Sequence, residues 1–98
     1  MNRVEILQQL RGSAPAVRAL GVASLYLFGS VARNEAGPGS DVDLFVDIQP
    51  GRTFSLIDLV GLKQLLEERL RTEVDVTTRS SLNPHLRADI EMAAVRAF

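Results

Sequence analysis

Ninety-eight residues, 46% of them hydrophobic and 23% charged, suffice for one domain, 1–98, built on a single core. The absence of cysteine excludes disulfide stapling and cysteine-based zinc sites. A net charge of −1 argues against a generic nucleic-acid binder, which carries a basic excess.

The apolar runs are too short to span a bilayer, and Met1-Asn2-Arg3 leads into a polar helix rather than the apolar core of a signal peptide. The expected location is the cytoplasm. Charge is unevenly spread. Residues 1–29 hold three Arg against Glu5, and residues 52–98 balance at seven basic and seven acidic. Residues 30–51 set Arg33 alone against Glu35, Asp41, Asp43 and Asp47, so the acidic excess is local. Carboxylates gathered beside glycines suit a cation; the plainer reading makes two of the four ordinary loop solubilisers.

Asn2 followed by Glu5 has the form of a capping box, and Val4, Leu7 and Leu10 make one apolar stripe, so residues 2–11 are expected to be helical. Ser13 is expected to cap a second short helix with Pro15 in its first turn, Val17 and Leu20 inward, and Gly21 at its end. Residues 22–28 form a strand with apolar side chains on both faces. In the next strand, residues 43–48, alternation separates Asp43, Phe45 and Asp47 from Leu44, Val46 and Ile48.

Residues 54–71 read as the longest helix, with Leu56, Leu59, Val60, Leu66 and Leu70 inward, Ile57, Leu62 and Leu65 widening that face, and Gly61 in close packing. A third strand, residues 73–77, turns Val74 and Val76 one way and Glu73, Asp75 and Thr77 the other. Asn83-Pro84 is expected to open a last helix with Leu86, Ile90, Ala93 and Ala94 inward. The order ααβαβαβα predicts an α/β (α+β) fold: a small mixed sheet with helices on one face and a polar, functional face opposite.

The chemistry concentrates between Leu25 and Asp47. Asp41 and Asp43, two apart on one strand, project from the same face with Cα atoms about 7 Å apart. Two hard oxygen ligands at that spacing converge on Mg²⁺ or on a pair of ions. Asp75, with Glu73 as the alternative, is the candidate third carboxylate. Gly29 lets backbone approach phosphate oxygens, and a helix starting at Ser30 would aim its N–H groups and hydroxyl at them. Arg33 reads equally as a phosphate ligand or as a strut to the carboxylates. Ser40 either shapes the turn at Gly37-Pro38-Gly39 or touches nucleotide. His85, the single histidine, is expected at the surface, and Tyr26 in the core or on the sheet face.

Taken in order, a strand, Gly29-Ser30, ten intervening residues, Asp41-Val42-Asp43 and a later strand carrying Asp75 resemble the signature of the nucleotidyltransferase superfamily that includes DNA polymerase β. The chain is most similar to its minimal members, the MNT proteins, along nearly its whole length. The resemblance implies that Asp41 and Asp43 bind Mg²⁺, that Asp75 completes the metal site and helps deprotonate the attacking hydroxyl, and that Gly29 and Ser30 hold the β- and γ-phosphates of ATP. It also implies a partner. MNT proteins pair with HEPN ribonuclease toxins in hetero-oligomers, and some transfer AMP from ATP to a toxin tyrosine. The alternative is a non-catalytic antitoxin that neutralises its HEPN partner by binding; transfer to RNA or a small molecule is a third. Direct nucleic-acid binding and membrane association are not expected. Asn34 stands where many relatives have Gly, and as a residue that tolerates left-handed backbone it can preserve the turn.

Overall fold

In the computed structural model, which describes residues 2–35, 37 and 41–98, the Asn2 side chain accepts the Glu5 N–H at 2.9 Å and starts α1 (Arg3–Gly12). Ser13 does not cap α2 (Ala14–Ala19) as its sequence position suggests. It is buried, and its hydroxyl donates to the Gln9 carbonyl at 2.9 Å, closing the end of α1 instead. Gly21, at φ 109°, turns the chain out of α2 into β1 (Val22–Phe28). One helical turn, α3 (Gly29–Ala32), precedes β2 (Val42–Ile48), which is followed by α4 (Leu56–Leu70) and β3 (Val74–Thr78). A 3₁₀ turn (Arg79–Ser81), α5 (Arg87–Ala93) and β4 (Val95–Arg96) complete the chain.

The strands form one mixed sheet in the order β3-β2-β1-β4; β1 runs antiparallel to β2 and β4, and β2 parallel to β3. Leu25, Leu27, Val42, Leu44, Val46, Val74 and Val76 form its apolar face. They pack on Ile6, Leu7 and Leu10 of α1, Val17 of α2, Val31 and Ala32 of α3, and Leu62, Leu66 and Leu70 of α4. Val22 and Leu25 are three apart yet both fully buried, because a bulge between Val22 and Ser24 shifts the phase of the strand. The expected burial of both faces of β1 holds only on this side; Ala23, Tyr26 and Phe28 are half-buried.

The α4 helix opens on a reciprocal capping box, Ser55 with Asp58, whose hydrogen bonds hold the Asp58 carboxyl below its ordinary pKa. The backbone bond from Ser55 is the first cause of that shift. Leu62, Leu66 and Leu70 carry the helix's packing. Leu56, Ile57 and Val60, expected inward, are exposed instead, because periodicity identifies an apolar stripe but not where the surface beneath it ends. At the edge strand β3, Lys63 Nζ donates to the Val74 carbonyl at 2.8 Å and the Val74 N–H donates to Glu67 at 3.1 Å. Two α4 side chains thereby satisfy edge groups that would otherwise invite another strand.

Gly61 is not in close packing either: a Cβ added there would meet no atom within 4 Å. Gly61→Ala is therefore expected to stabilise the fold by about 0.5–1 kcal/mol through helix propensity. The check is a higher denaturant midpoint with an unchanged m-value.

The C-terminal segment departs most from expectation. Asn83 Oδ1 accepts the His85 N–H at 2.9 Å within a turn, and helix begins only at Arg87. No residue of α5 is fully buried, and Leu86 and Ala93 are exposed. Ala94 ends the helix, and β4 pairs with β1 as an unforeseen strand, with residues 97–98 bonded to β1 beyond it. The Ala97 N–H donates to the Leu25 carbonyl at 2.8 Å, and the Leu25 N–H to the Phe98 carbonyl at 3.1 Å. Arg11 Nε donates to the Ala97 carbonyl at 2.9 Å, tying this segment to α1. His85 is exposed, as expected.

Candidate active site

Two strands and one turn meet on the open side of the sheet. Alternation along β2 turns Asp43, Phe45 and Asp47 away from α1, α2 and α4, toward the face on which Arg79 links Asp47 to Glu91 of α5. The parallel register sets Asp43 directly beside Asp75 on β3, and the antiparallel register sets it beside Phe28 on β1. Asp41 lies exposed just before β2. Gly29 begins the next turn at φ 76°, and a Cβ there would overlap Asp43 Oδ2 and stand 3.2 Å from its Cγ. The glycine admits the carboxylate as well as opening the backbone.

Burial first, then the charges of Asp75 and Asp41, raise the Asp43 pKa above its ordinary 3.8, while Arg33 opposes them. Unrelieved carboxylate repulsion of this kind favours a bound cation. Among the described residues, no three acidic, histidine or cysteine side chains form a ready-made metal cage. The donor chemistry nevertheless fits Mg²⁺, which takes one or two carboxylates and fills its shell with waters and substrate phosphates. Asp41, Asp43 and Asp75 would be the residues to hold it; Glu73 precedes β3 and is not among the charges acting on Asp43.

The turn after Gly29 is short and well tied. Arg33 N donates to the Gly29 carbonyl at 3.2 Å, Asn34 N to Val31 at 3.0 Å and Glu35 N to Ser30 at 2.8 Å. Arg3 of α1 donates to the Ala32 carbonyl at 2.9 Å, so the first helix braces this turn. With only four residues, α3 has little macrodipole; its resource is the set of first-turn N–H groups that have no partner inside a helix. Asn34 has φ 59°, a left-handed conformation that asparagine tolerates. Arg33 pairs with Glu35 at 3.0 Å and is half-exposed beside the acids. Ser40 lies outside the described residues.

Sequence reasoning missed Arg79, which follows β3 without a local motif. Its guanidinium takes Asp47 bidentately at 2.7 and 2.9 Å, bonds Glu91 of α5, and lies 4.9 and 5.0 Å above the Tyr26 and Phe45 rings. Those rings stack at 4.8 Å, and Phe45 is fully buried. The open face is thus aromatic as well as polar. Pairing with Arg79, the first cause, lowers the Glu91 pKa. Arg79→Met is expected to lower the denaturant midpoint, because it removes the guanidinium that pairs with both Asp47 and Glu91. It should also speed amide exchange in α5, which has few other attachments; unchanged exchange there would show that α5 is held otherwise.

A cavity of about 360 Å³ adjoins the turn, lined by Phe28, Gly29 and Arg33 on one side and Asp89, Ile90 and Ala93 on the other. A larger cleft of about 540 Å³ lies at the far end of β2, among Ile48, Phe54, Arg52, Arg79 and Arg87, remote from Asp43 along the strand.

The sequence profile of the nucleotidyltransferase domain family matches residues 7–97. The chain belongs to this family. A candidate protein adenylyltransferase of Methanocaldococcus jannaschii is 43% identical to this nucleotidyltransferase over 95 residues, covering 97% of each chain. The solved structure of a candidate minimal nucleotidyltransferase is 37% identical, superposes with a TM-score of 0.72, and spans 97% of this chain and 95% of its own. The expected resemblance to minimal nucleotidyltransferases is borne out, as is the mixed-sheet fold. At 21% identity and a TM-score of 0.66, a chain from the complex of the Shewanella oneidensis tri-AMPylated HEPN toxin with its MNT antitoxin shares the fold over 94% of this nucleotidyltransferase and 71% of its own length. Among the described residues, no helix is long and apolar enough to cross a membrane.

Proposed function

We propose that this nucleotidyltransferase moves AMP from ATP to a tyrosine hydroxyl of a HEPN-type toxin, and that it acts as the antitoxin in a hetero-oligomer with that partner in the cytoplasm. The observation that carries the reading is the direct register of Asp43 beside Asp75, with Gly29 making room for the Asp43 carboxylate. A protein acceptor is supported by the activity named for the M. jannaschii relative, and the toxin by the AMP groups in the Shewanella complex.

In this reaction the acceptor oxygen attacks the α-phosphorus of ATP, the bond to the α,β-bridging oxygen breaks, and pyrophosphate leaves. Mg²⁺, held by Asp41, Asp43 and Asp75 together with phosphate oxygens, would neutralise charge on the phosphates. Asp75, exposed on the edge strand β3, would accept the hydroxyl proton. Gly29 and Ser30 would hold the β- and γ-phosphates through backbone N–H groups and the Ser30 hydroxyl. Arg33, beside the acids, adds positive charge on the phosphate side.

The test is incubation with α-labelled ATP, Mg²⁺ and a HEPN-type toxin protein as acceptor. Label should appear on the partner and vanish with Asp41→Ala or Asp43→Ala; no label with the unaltered chain would remove the claim. A binding-only antitoxin would neutralise its partner equally well as the Asp43→Ala variant. Asn34, the departure that motivates that second reading, closes its turn normally and gives it no support.

A further inference from the structure

The parallel pairing of β2 with β3 brings Asp75 beside Asp43, and the apolar pattern of the strands does not by itself hold it there. We propose that Arg79 is a positioning residue for the metal site: its pairing with Asp47 locks β3 against β2 in the register that sets Asp75 beside Asp43. This rests on the reading of Asp41, Asp43 and Asp75 as the metal-holding set.

The need for a lock follows from the sheet. A one-residue slip of β3 would turn Asp75 into the core and lift Val74 and Val76 out of it, so burial forbids that slip. A two-residue slip keeps every side chain on its own face, yet carries Asp75 about 6–7 Å along the strand. Alternation reads the same in both registers. The two carboxylates would face a common cation in one of them and not in the other.

Arg79 supplies what alternation lacks. Along the β2–β3 ladder each residue faces the one 32 positions later, as Asp43 faces Asp75 and Val46 faces Thr78. Asp47 and Arg79 keep that offset just past the last backbone pair, joined bidentately at 2.7 and 2.9 Å. A planar guanidinium that takes both oxygens of a carboxylate fixes direction as well as distance. The Tyr26 and Phe45 rings, 4.9 and 5.0 Å from its central carbon, set its place over the open face. The start of β3 is tied to α4 instead, through Lys63 and Glu67. Glu91 takes a further nitrogen of Arg79, and that arm leads to α5 rather than to the ladder.

The discriminating experiment measures Mn²⁺ binding to the full chain by electron paramagnetic resonance, with Mn²⁺ as the probe for the Mg²⁺ site and circular dichroism checking each variant's fold. Arg79→Met removes a positive charge, which by Coulomb attraction alone would tighten cation binding. Loss of register predicts the opposite, an affinity about tenfold weaker, as when the outer partners of metal ligands are removed. The sign of the change therefore separates positioning from charge. Asp47→Asn and Glu91→Gln remove equal charges but cut different arms of Arg79. Asp47→Asn should weaken Mn²⁺ binding, and Glu91→Gln should leave it unchanged, so this pair decides the matter even where Arg79→Met fails to fold. Unchanged or tighter binding in a folded Arg79→Met, or equal effects of Asp47→Asn and Glu91→Gln, overturns the register lock and leaves the metal site standing. A wild-type chain that binds no Mn²⁺ overturns both.

Discussion

Asp43→Asn is expected to lower AMP transfer by about 10²–10³-fold or more, the loss of several kcal/mol of metal-borne charge stabilisation, and at the same time to make the metal-free protein more stable at neutral pH. The second effect follows from the direction of the Asp43 shift. Burial, Asp75 and Asp41 raise its pKa from 3.8, against Arg33, so the folded chain keeps this proton to a higher pH than the unfolded chain does. Below pH 3.8 the group is protonated in both states and costs nothing. As pH climbs through the window between 3.8 and the raised folded value, the folded state holds more protons and stability falls. Above that window the penalty is fully present.

Asparagine carries no such charge. The stability difference between variant and wild type should therefore open through that window and then stay constant. Denaturant midpoints measured from acid to neutral pH in chelator read it directly. Adding Mg²⁺ should raise the midpoint of wild type and leave Asp43→Asn nearly unmoved, because only a ligand that binds the folded site stabilises it. A variant that lost activity without gaining stability in chelator would show that Asp43 is not under charge repulsion.

The periodicity that placed Asp43 on the open face was legible because β2 alternates cleanly. Val42, Leu44 and Val46 face the core, while Asp43, Phe45 and Asp47 share the other face, where Phe45 is buried and the two aspartates are half-buried. The same alternation put Asp75 opposite Val74 and Val76. Side-by-side register is a different kind of information: β2 and β3 are parallel and separated by all of α4, so no local turn sets their alignment.

Arg79 was illegible for a related reason. Its partners Asp47, Tyr26 and Phe45 come from distant strands, and an arginine in a polar connection carries no local signature. Near the C-terminus, Ala93 and Ala94 read as helix because both are good helix formers. The two-residue strand beyond them exists only because β1 offers an unpaired edge. Along α4, the exposed Leu56, Ile57 and Val60 show the limit of the apolar stripe: burial needs a facing surface as well as a helical period.

Gly29→Ala is the complementary experiment, and its effect should run through Asp43. At φ 76° an alanine suffers left-handed backbone strain of about 1–2 kcal/mol. Its Cβ would also overlap Asp43 Oδ2, with Cγ at 3.2 Å and Asp43 Cβ at 3.3 Å, so rotating the carboxylate end alone does not clear it. Strain and collision together are expected to cost about 2–4 kcal/mol. The displaced carboxylate should lower transfer about a hundredfold, as for a catalytic group moved by about 1 Å. Backbone strain alone would reduce stability without singling out the metal site, so the two causes separate in a double-mutant cycle. In an Asp43→Ala background the carboxylate is gone, and Gly29→Ala should cost mainly the strain, leaving a coupling of about 0.5–2 kcal/mol between the positions. Additive losses would mean that Gly29 serves the backbone turn alone. Coupled losses would mean that the glycine after β1 and the second aspartate of the Asp41-Val42-Asp43 segment are one device, in which the missing side chain of the first holds open the position of the second.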